Sequence, residues 1–329
     1  MLAGLSAALG AGLLWGLVFL TPLLLADYPP FMLAIGRYLA FGVLALGLAW
    51  FDRAALARLT RADWIEAVKL ALIGNLLYYS TLASAIQLAG GPVPTLIIGT
   101  LPVVIAITAN LLDRRRGGGE DSAPWMRLAA PLALILGGLF AVHSASAHAL
   151  PADASADYLL GIGFGLFALG CWTWYPIRNS RWLRARGAGL SRAWATAQGL
   201  ATLPVAIVAG IGYWLWDTRL APGGPGFAWP LGPRPEAFVG MCILLGLAAS
   251  WLGTLLWNRA SHLLPAALVG QLIVFETLAA LLYAFLWYGR WPVMAESAGI
   301  VLLIAGVLGG VRVFRHGGAR AAADAAART

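Results

Sequence analysis

Ten stretches of apolar sequence, each about twenty residues long, dominate this chain. A segment of that length and polarity fits a helix crossing roughly 30 Å of hydrocarbon. The stretches lie near 4–25, 31–50, 65–88, 93–112, 126–145, 158–178, 193–216, 237–258, 263–287 and 297–315. Only 11% of the residues are charged and 60% are hydrophobic, whereas a soluble domain carries roughly 25% charged residues to face water. The lipid bilayer is therefore the partner this composition demands, and the fold class is all-α integral membrane. Turn chemistry separates several spans, at Asp27 to Pro30, Gly90 to Pro92 and the Pro/Gly-rich stretch from Leu220 to Pro235. The N-terminus is apolar from Leu2 onward with no basic region before it, so it reads as the first span and not as a removed signal.

The net charge of +8 raises the question of nucleic acid. The basic residues sit singly or in short clusters between apolar spans, which is the placement of topogenic charges and argues for no nucleic-acid partner. With the N-terminus inside, eighteen bases fall on the cytoplasmic side, and only Arg219, Arg234 and Arg290 fall outside. Both termini are thus expected in the cytoplasm of a multi-pass inner-membrane protein. Cys171 and Cys242 lie within apolar spans and read as buried free thiols. Neither G-x-x-x-x-G-K-[ST], H-E-x-x-H nor G-x-S-x-G occurs, and no cofactor, metal or catalytic residue is expected. Gly161, Gly163 and Gly165 sit inside the sixth span, where close helix packing explains them.

Five spans precede residues 146–157 and five follow. A shift of 157 positions places Gly4 on Gly161, Leu9 on Leu166, Ala11 on Ala168 and Trp15 on Trp172. The expected organisation is a first five-helix repeat over 1–145, an external linker over 146–157, a second repeat over 158–315 and a cytoplasmic tail over 316–329. Because five is odd, the second half enters the membrane with the opposite orientation. Such inverted repeats suit alternating access around a midplane site.

Arg37 and Glu276 are the ionisable residues well inside predicted spans. An arginine or an acid at that depth costs about 2.5–3.5 kcal/mol, so it faces a bundle interior or a wet cavity. Glu276 reads either as a carboxylate for a substrate amine or proton, or as a hydrogen-bond partner for a neighbouring helix. Arg37 reads as a substrate-carboxylate ligand, as a residue that snorkels outward, or as a cap on carbonyls. Ser250, Thr254, Trp257 and Asn258 form a polar stripe on the eighth span, and Asn75, Tyr78 and Tyr79 another on the third. Each stripe either lines a cavity or joins helices. In the fourth span Thr95, Gly99, Pro102 and Ala106 form a small-residue face interrupted by proline. Trp15 and Trp172 are deep and repeat-related, and either pack the core or flank a substrate; Gln271 is a further polar candidate in the ninth span. Trp50, Trp64, Trp125, Trp182, Trp216, Trp229, Trp287 and Trp291 fall at predicted span ends and read as interfacial anchors.

Trp15-Gly16, Arg37 in "LAIGRYLAFG", "TLIIGTLPVVIAI" in the fourth span and "LVGQLIVFETLAALLY" in the ninth resemble the EamA-type exporters of the drug/metabolite transporter superfamily. The resemblance implies two five-helix repeats, with helices 1, 3, 4, 6, 8 and 9 around a central cavity. It also implies secondary transport, with export of small-molecule substrates such as amino acids. The other classes to weigh are an intramembrane enzyme acting on lipid and a channel or structural membrane subunit.

Overall fold

A computed structural model describes residues 1–89, 92–115, 125–146, 156–220, 227–264, 268–269 and 272–326, and the regular elements among them are helical. The α-helices are α1 (Leu2–Leu24), α2 (Pro30–Leu56), α3 (Arg61–Lys69), α4 (Tyr78–Ala89), α5 (Pro92–Gly99), α6 (Leu101–Arg115), α7 (Trp125–Ser146), α8 (Ala156–Arg186), α9 (Ser191–Leu215), α10 (Pro235–Leu244), α11 (Gly253–Leu263), α12 (Val274–Tyr288) and α13 (Met294–Ala326). Local chemistry sets their ends. Pro30 begins α2 at a position that needs no amide hydrogen. Thr60 and Asp63 close a capping box on α3. Gly289 ends α12 in the left-handed conformation at φ 58°.

Among the described residues five helical segments are long and apolar enough to cross a membrane: Leu2–Leu24, Pro30–Leu56, Ala156–Arg186, Ser191–Leu220 and Pro235–Leu263. The third and eighth expected spans are not plain α-helices. Leu70–Leu77 joins α3 to α4 as a π-helical segment, and Leu245–Leu252 joins α10 to α11 in the same way. The fourth span is broken, since α5 ends at Gly99 and α6 begins at Leu101. Pro102 therefore stands in a first turn, where its missing amide hydrogen costs nothing. The last helix runs on through residues 316–326, so the described part of the tail is helical. Residues 147–155 of the linker, 116–124 of the charged connection, and 265–267 and 270–271 of the ninth span, Gln271 included, lie outside the described residues.

Glycines decide which helices meet. A Cβ on Gly12 would stand 2.7 Å from the Phe275 carbonyl carbon, and one on Gly16 2.7 Å from the Ala279 Cβ, so α1 lies along α12 with almost no gap. Gly42 seats Leu203 between α2 and α9, while Gly199 receives Ala45 and Phe41 from the other side. Gly161 receives Ala89 at the far ends of α8 and α4. Gly138 meets the Gly299 carbonyl and Leu303 of α13, and Gly306 meets Ile135 and the Pro131 carbonyl of α7. Small residues serve this purpose in lipid, where dispersion between close backbones replaces the hydrophobic effect.

The distribution of side chains is that of a lipid-solvated bundle. Trp194, Trp257, Tyr79 and Tyr175 are fully enclosed, while Leu46, Phe140, Val208 and Leu286 stand exposed on the perimeter. In water such an apolar skin would drive association.

Candidate functional site

Tyr78, Trp172 and Tyr175 form a continuous aromatic stack in the middle of the bundle, with ring centroids 4.5 Å and 4.9 Å apart. Gly74, in the π-helical segment before α4, makes room for it. A Cβ there would fall 2.1 Å from the Tyr175 ring. Trp15 of α1 meets Trp172 edge-on at 5.2 Å and Trp257 of α11 at 5.0 Å. Its indole nitrogen donates to the Ala249 carbonyl at 2.9 Å, and Gly253 leaves the space that the ring edge occupies. Trp15, Trp172 and Trp257 are thus brought together, although they come from three distant stretches of sequence.

Arg37 is buried in this region and does not snorkel. Its Nε donates to Ser250 Oγ at 2.9 Å, and its guanidinium carbon lies 4.7 Å from the Tyr79 ring centroid and 5.0 Å from that of Tyr38. Ser250 reaches it because the second π-helical segment carries that residue. A π-helical turn interrupts the regular face of a helix, which is why such turns collect at functional sites. Glu276, in the first turn of α12, is 2% exposed and within electrostatic reach of Arg37, with the Trp172 indole beside its carboxyl group. The two side chains do not join in an ion pair. Arg37 Nη1 and Glu276 Oε2 are each buried without a partner, and so are Tyr78 Oη, Tyr79 Oη, Ser80 Oγ, Trp172 Nε1 and Trp257 Nε1. An unsatisfied buried polar atom costs about 1–3 kcal/mol, and more when charged. A cluster of them has the chemistry of a binding site: a guanidinium, a carboxyl group, indole and phenol donors, and aromatic walls.

The other sequence candidates are placed differently. Asn258 is consumed by structure, since its Oδ1 accepts from Asn179 Nδ2 at 2.7 Å and its Nδ2 donates to the Ser191 carbonyl at 3.1 Å. Asn179 Oδ1 in turn accepts from Trp194 Nε1 and Gln198 Nε2, and Tyr175 Oη donates to Gln198 Oε1 at 2.7 Å. This satisfied network braces the stack from one side. Asn75 donates to Thr202 Oγ1 at 3.2 Å and joins two helices. Thr254 is buried close to Tyr175. In the fourth span Gly99 faces Leu139 of α7, so part of that small-residue face is a packing surface. Tyr38, Tyr175, Asn179 and Gln198 were not singled out from the sequence. Asn179 and Gln198 carry a readable signal, as amides flanking or inside apolar spans.

Ion pairs lie at both ends of the bundle. At the end carrying residues 57–60 and 187–190, Asp52, Asp63 and Glu66 are buried. Arg192 pairs with Asp52 at 2.9 Å, Arg186 with Asp63 at 2.7 Å, and Arg178 makes a two-pronged contact with Glu66. Burial opposes the ionisation of Asp63. The backbone amide and hydroxyl of Thr60, the Trp182 indole and Arg186 outweigh it and hold this carboxyl below the ordinary range. Trp182, expected at a lipid interface, instead stacks on Trp194 at 3.5 Å and donates to Asp63 at 2.8 Å. At the opposite end Arg234 pairs with Asp27, which lowers the Asp27 pKa. The Tyr28 hydroxyl donates to the Leu231 carbonyl at 2.8 Å and accepts from the Arg234 amide at 2.9 Å.

Comparison with known proteins fits this arrangement. Residues 2–116 match the model of the EamA-like transporter family. The chain is 47% identical over 313 residues to "Inner membrane protein YtfF" of Escherichia coli (strain K12), covering 95% of this chain and 96% of that protein. A solved crystal structure aligns over 95% of this chain and 98% of its own with a TM-score of 0.70. At 17% identity that likeness speaks to the fold alone.

Proposed function

The chain belongs to the EamA-like transporter family of the drug/metabolite transporter superfamily, and from that premise we propose that it is a secondary transporter of the inner membrane, exporting small polar metabolites such as amino acids by alternating access. Two five-helix halves, 1–145 and 158–315, cross the membrane ten times in opposite senses around the central site, joined by an external linker. The pairing of rods supports this arrangement. The second rod lies on the seventh and the fifth on the tenth, as a twofold axis between halves requires, and the π-helical segments occupy the equivalent third and eighth rods. Both termini lie in the cytoplasm, on the arginine-rich end.

The observation that carries the reading is the pair Arg37 and Glu276, buried close together, unbridged, and each with an orphaned polar atom. A metabolite with both a carboxylate and an ammonium group satisfies both at once. Arg37 takes the carboxylate, Glu276 the ammonium, and Trp172, Tyr78 and Tyr79 wall the site and supply donors. Ser250 and the flanking tyrosine rings hold the guanidinium in place. Counterflow tests this reading. Proteoliposomes loaded with an unlabelled amino-acid mixture should transiently accumulate labelled amino acids, and absence of that overshoot for the whole mixture would reject amino-acid transport by a carrier.

A further inference from the structure

Among the described residues four ion pairs tie the two halves together, and in each the acid comes from the first half and the arginine from the second: Asp52–Arg192, Asp63–Arg186, Glu66–Arg178 and Asp27–Arg234. Three lie at one end of the bundle and one at the other. We propose that these pairs form two ionic latches that close the central site from opposite sides and open alternately; the inference rests on the carrier reading above. Their positions are equivalent under exchange of the halves. The turn between α2 and α3 docks onto the turn between α8 and α9 at the arginine-rich end. The turn leading into α10 docks onto the turn between α1 and α2 at the other, with Tyr28 as its pin.

Charge makes these latches separable without disrupting the core. The arginines are half-exposed, with side-chain exposures of 49% for Arg178, 38% for Arg186 and 51% for Arg192, while their acids are nearly covered. When the halves part, water reaches carboxylates that lose their partners, so the open end is solvated and not stranded. Exposed ion pairs are individually weak, and the two-pronged ones, Arg178–Glu66 and Arg234–Asp27, are stronger. Three pairs against one make the arginine-rich end the more firmly shut. Opening both ends together would let solute leak, and both latches closed, as here, is an occluded form.

Hydrogen exchange on the whole protein in lipid nanodiscs separates coupled latches from ordinary surface pairs. In the double variant Arg178→Gln/Arg192→Gln, exchange over residues 52–66 should quicken roughly tenfold, the scale of losing a charged hydrogen bond. Exchange over residues 227–238 should slow at the same time. Asp27→Asn should do the reverse. Glu66→Arg combined with Arg178→Glu should restore the wild-type pattern, which guards against a general loss of packing. Quickening confined to the mutated end, or spread to both ends, would overturn the latches. If the ends prove independent while wild-type counterflow persists, the latches fail and the carrier stands; coupled ends without counterflow leave the latches standing and reject the carrier.

Discussion

Trp15 and Trp172, 157 residues apart in sequence, meet edge to face at the centre of the bundle with ring centroids 5.2 Å apart. They are the pair that the internal shift superimposes, so residues matched between the two halves touch each other. Trp15 is anchored through its indole nitrogen to Ala249, whereas the Trp172 nitrogen lies by Glu276 without a hydrogen bond of ordinary geometry. One ring is therefore a strut, and the other keeps a donor in reserve.

Trp172→Phe retains an aromatic face between Tyr78 and Tyr175 but deletes that donor. The expected result is a melting temperature close to wild type, with affinity for transported amino acids reduced about tenfold or more, the usual scale for a hydrogen bond to a charged group. Trp15→Phe should do the opposite. It removes a satisfied bond, so it lowers stability by about 1 kcal/mol. Thermal unfolding and ligand titration on both variants check the split.

Gly12→Val places a branched side chain where the nearest atoms are the Phe275 backbone and Cβ, 2.5–2.7 Å away. Neither can move aside as a flexible side chain could. Separation of α1 from α12 should cost about 1–3 kcal/mol and displace Glu276 from Trp172. Gly47→Val, which meets open space, is the control and should melt near wild type.

Those two residues show how far the sequence could be read. Arg37 and Glu276 announce themselves, because charge at membrane depth is too costly to be idle. The deep tryptophans follow from the repeat. The π-helical segments contain no proline to mark them in the sequence, and they carry Ser250, which meets Arg37, and Gly74, which faces Tyr175. The spacing of Asn258 leaves it open to line a cavity or to join helices, and its amide is spent on joining Asn179 and Ser191. Asp52, Asp63 and Glu66 lie at span ends, where acids are ordinary, and only the docking of α8 and α9 onto them turns three common charges into a closure.

Glu296 gives a pH dependence with a definite sign. Arg290 holds it with two bonds of 2.8 Å and the Val293 amide adds a third, so its pKa lies below the ordinary glutamate value despite the opposing effect of burial. A carboxyl depressed in the folded state stabilises above its unfolded pKa of about 4.3, and that stability disappears as pH falls through the folded value. Wild type should therefore exceed Glu296→Gln in melting temperature at pH 7, and the gap should narrow below pH of about 4. A gap that widens on acidification would contradict this assignment.

Counterflow in proteoliposomes containing Arg37→Gln or Glu276→Gln tests most directly the joint hold of Arg37 and Glu276 on the transported molecule. Each variant, reconstituted to the same density and folded by its melting curve, should lose the transient overshoot of labelled amino acid expected of the wild type. An undiminished overshoot in either folded variant would contradict it.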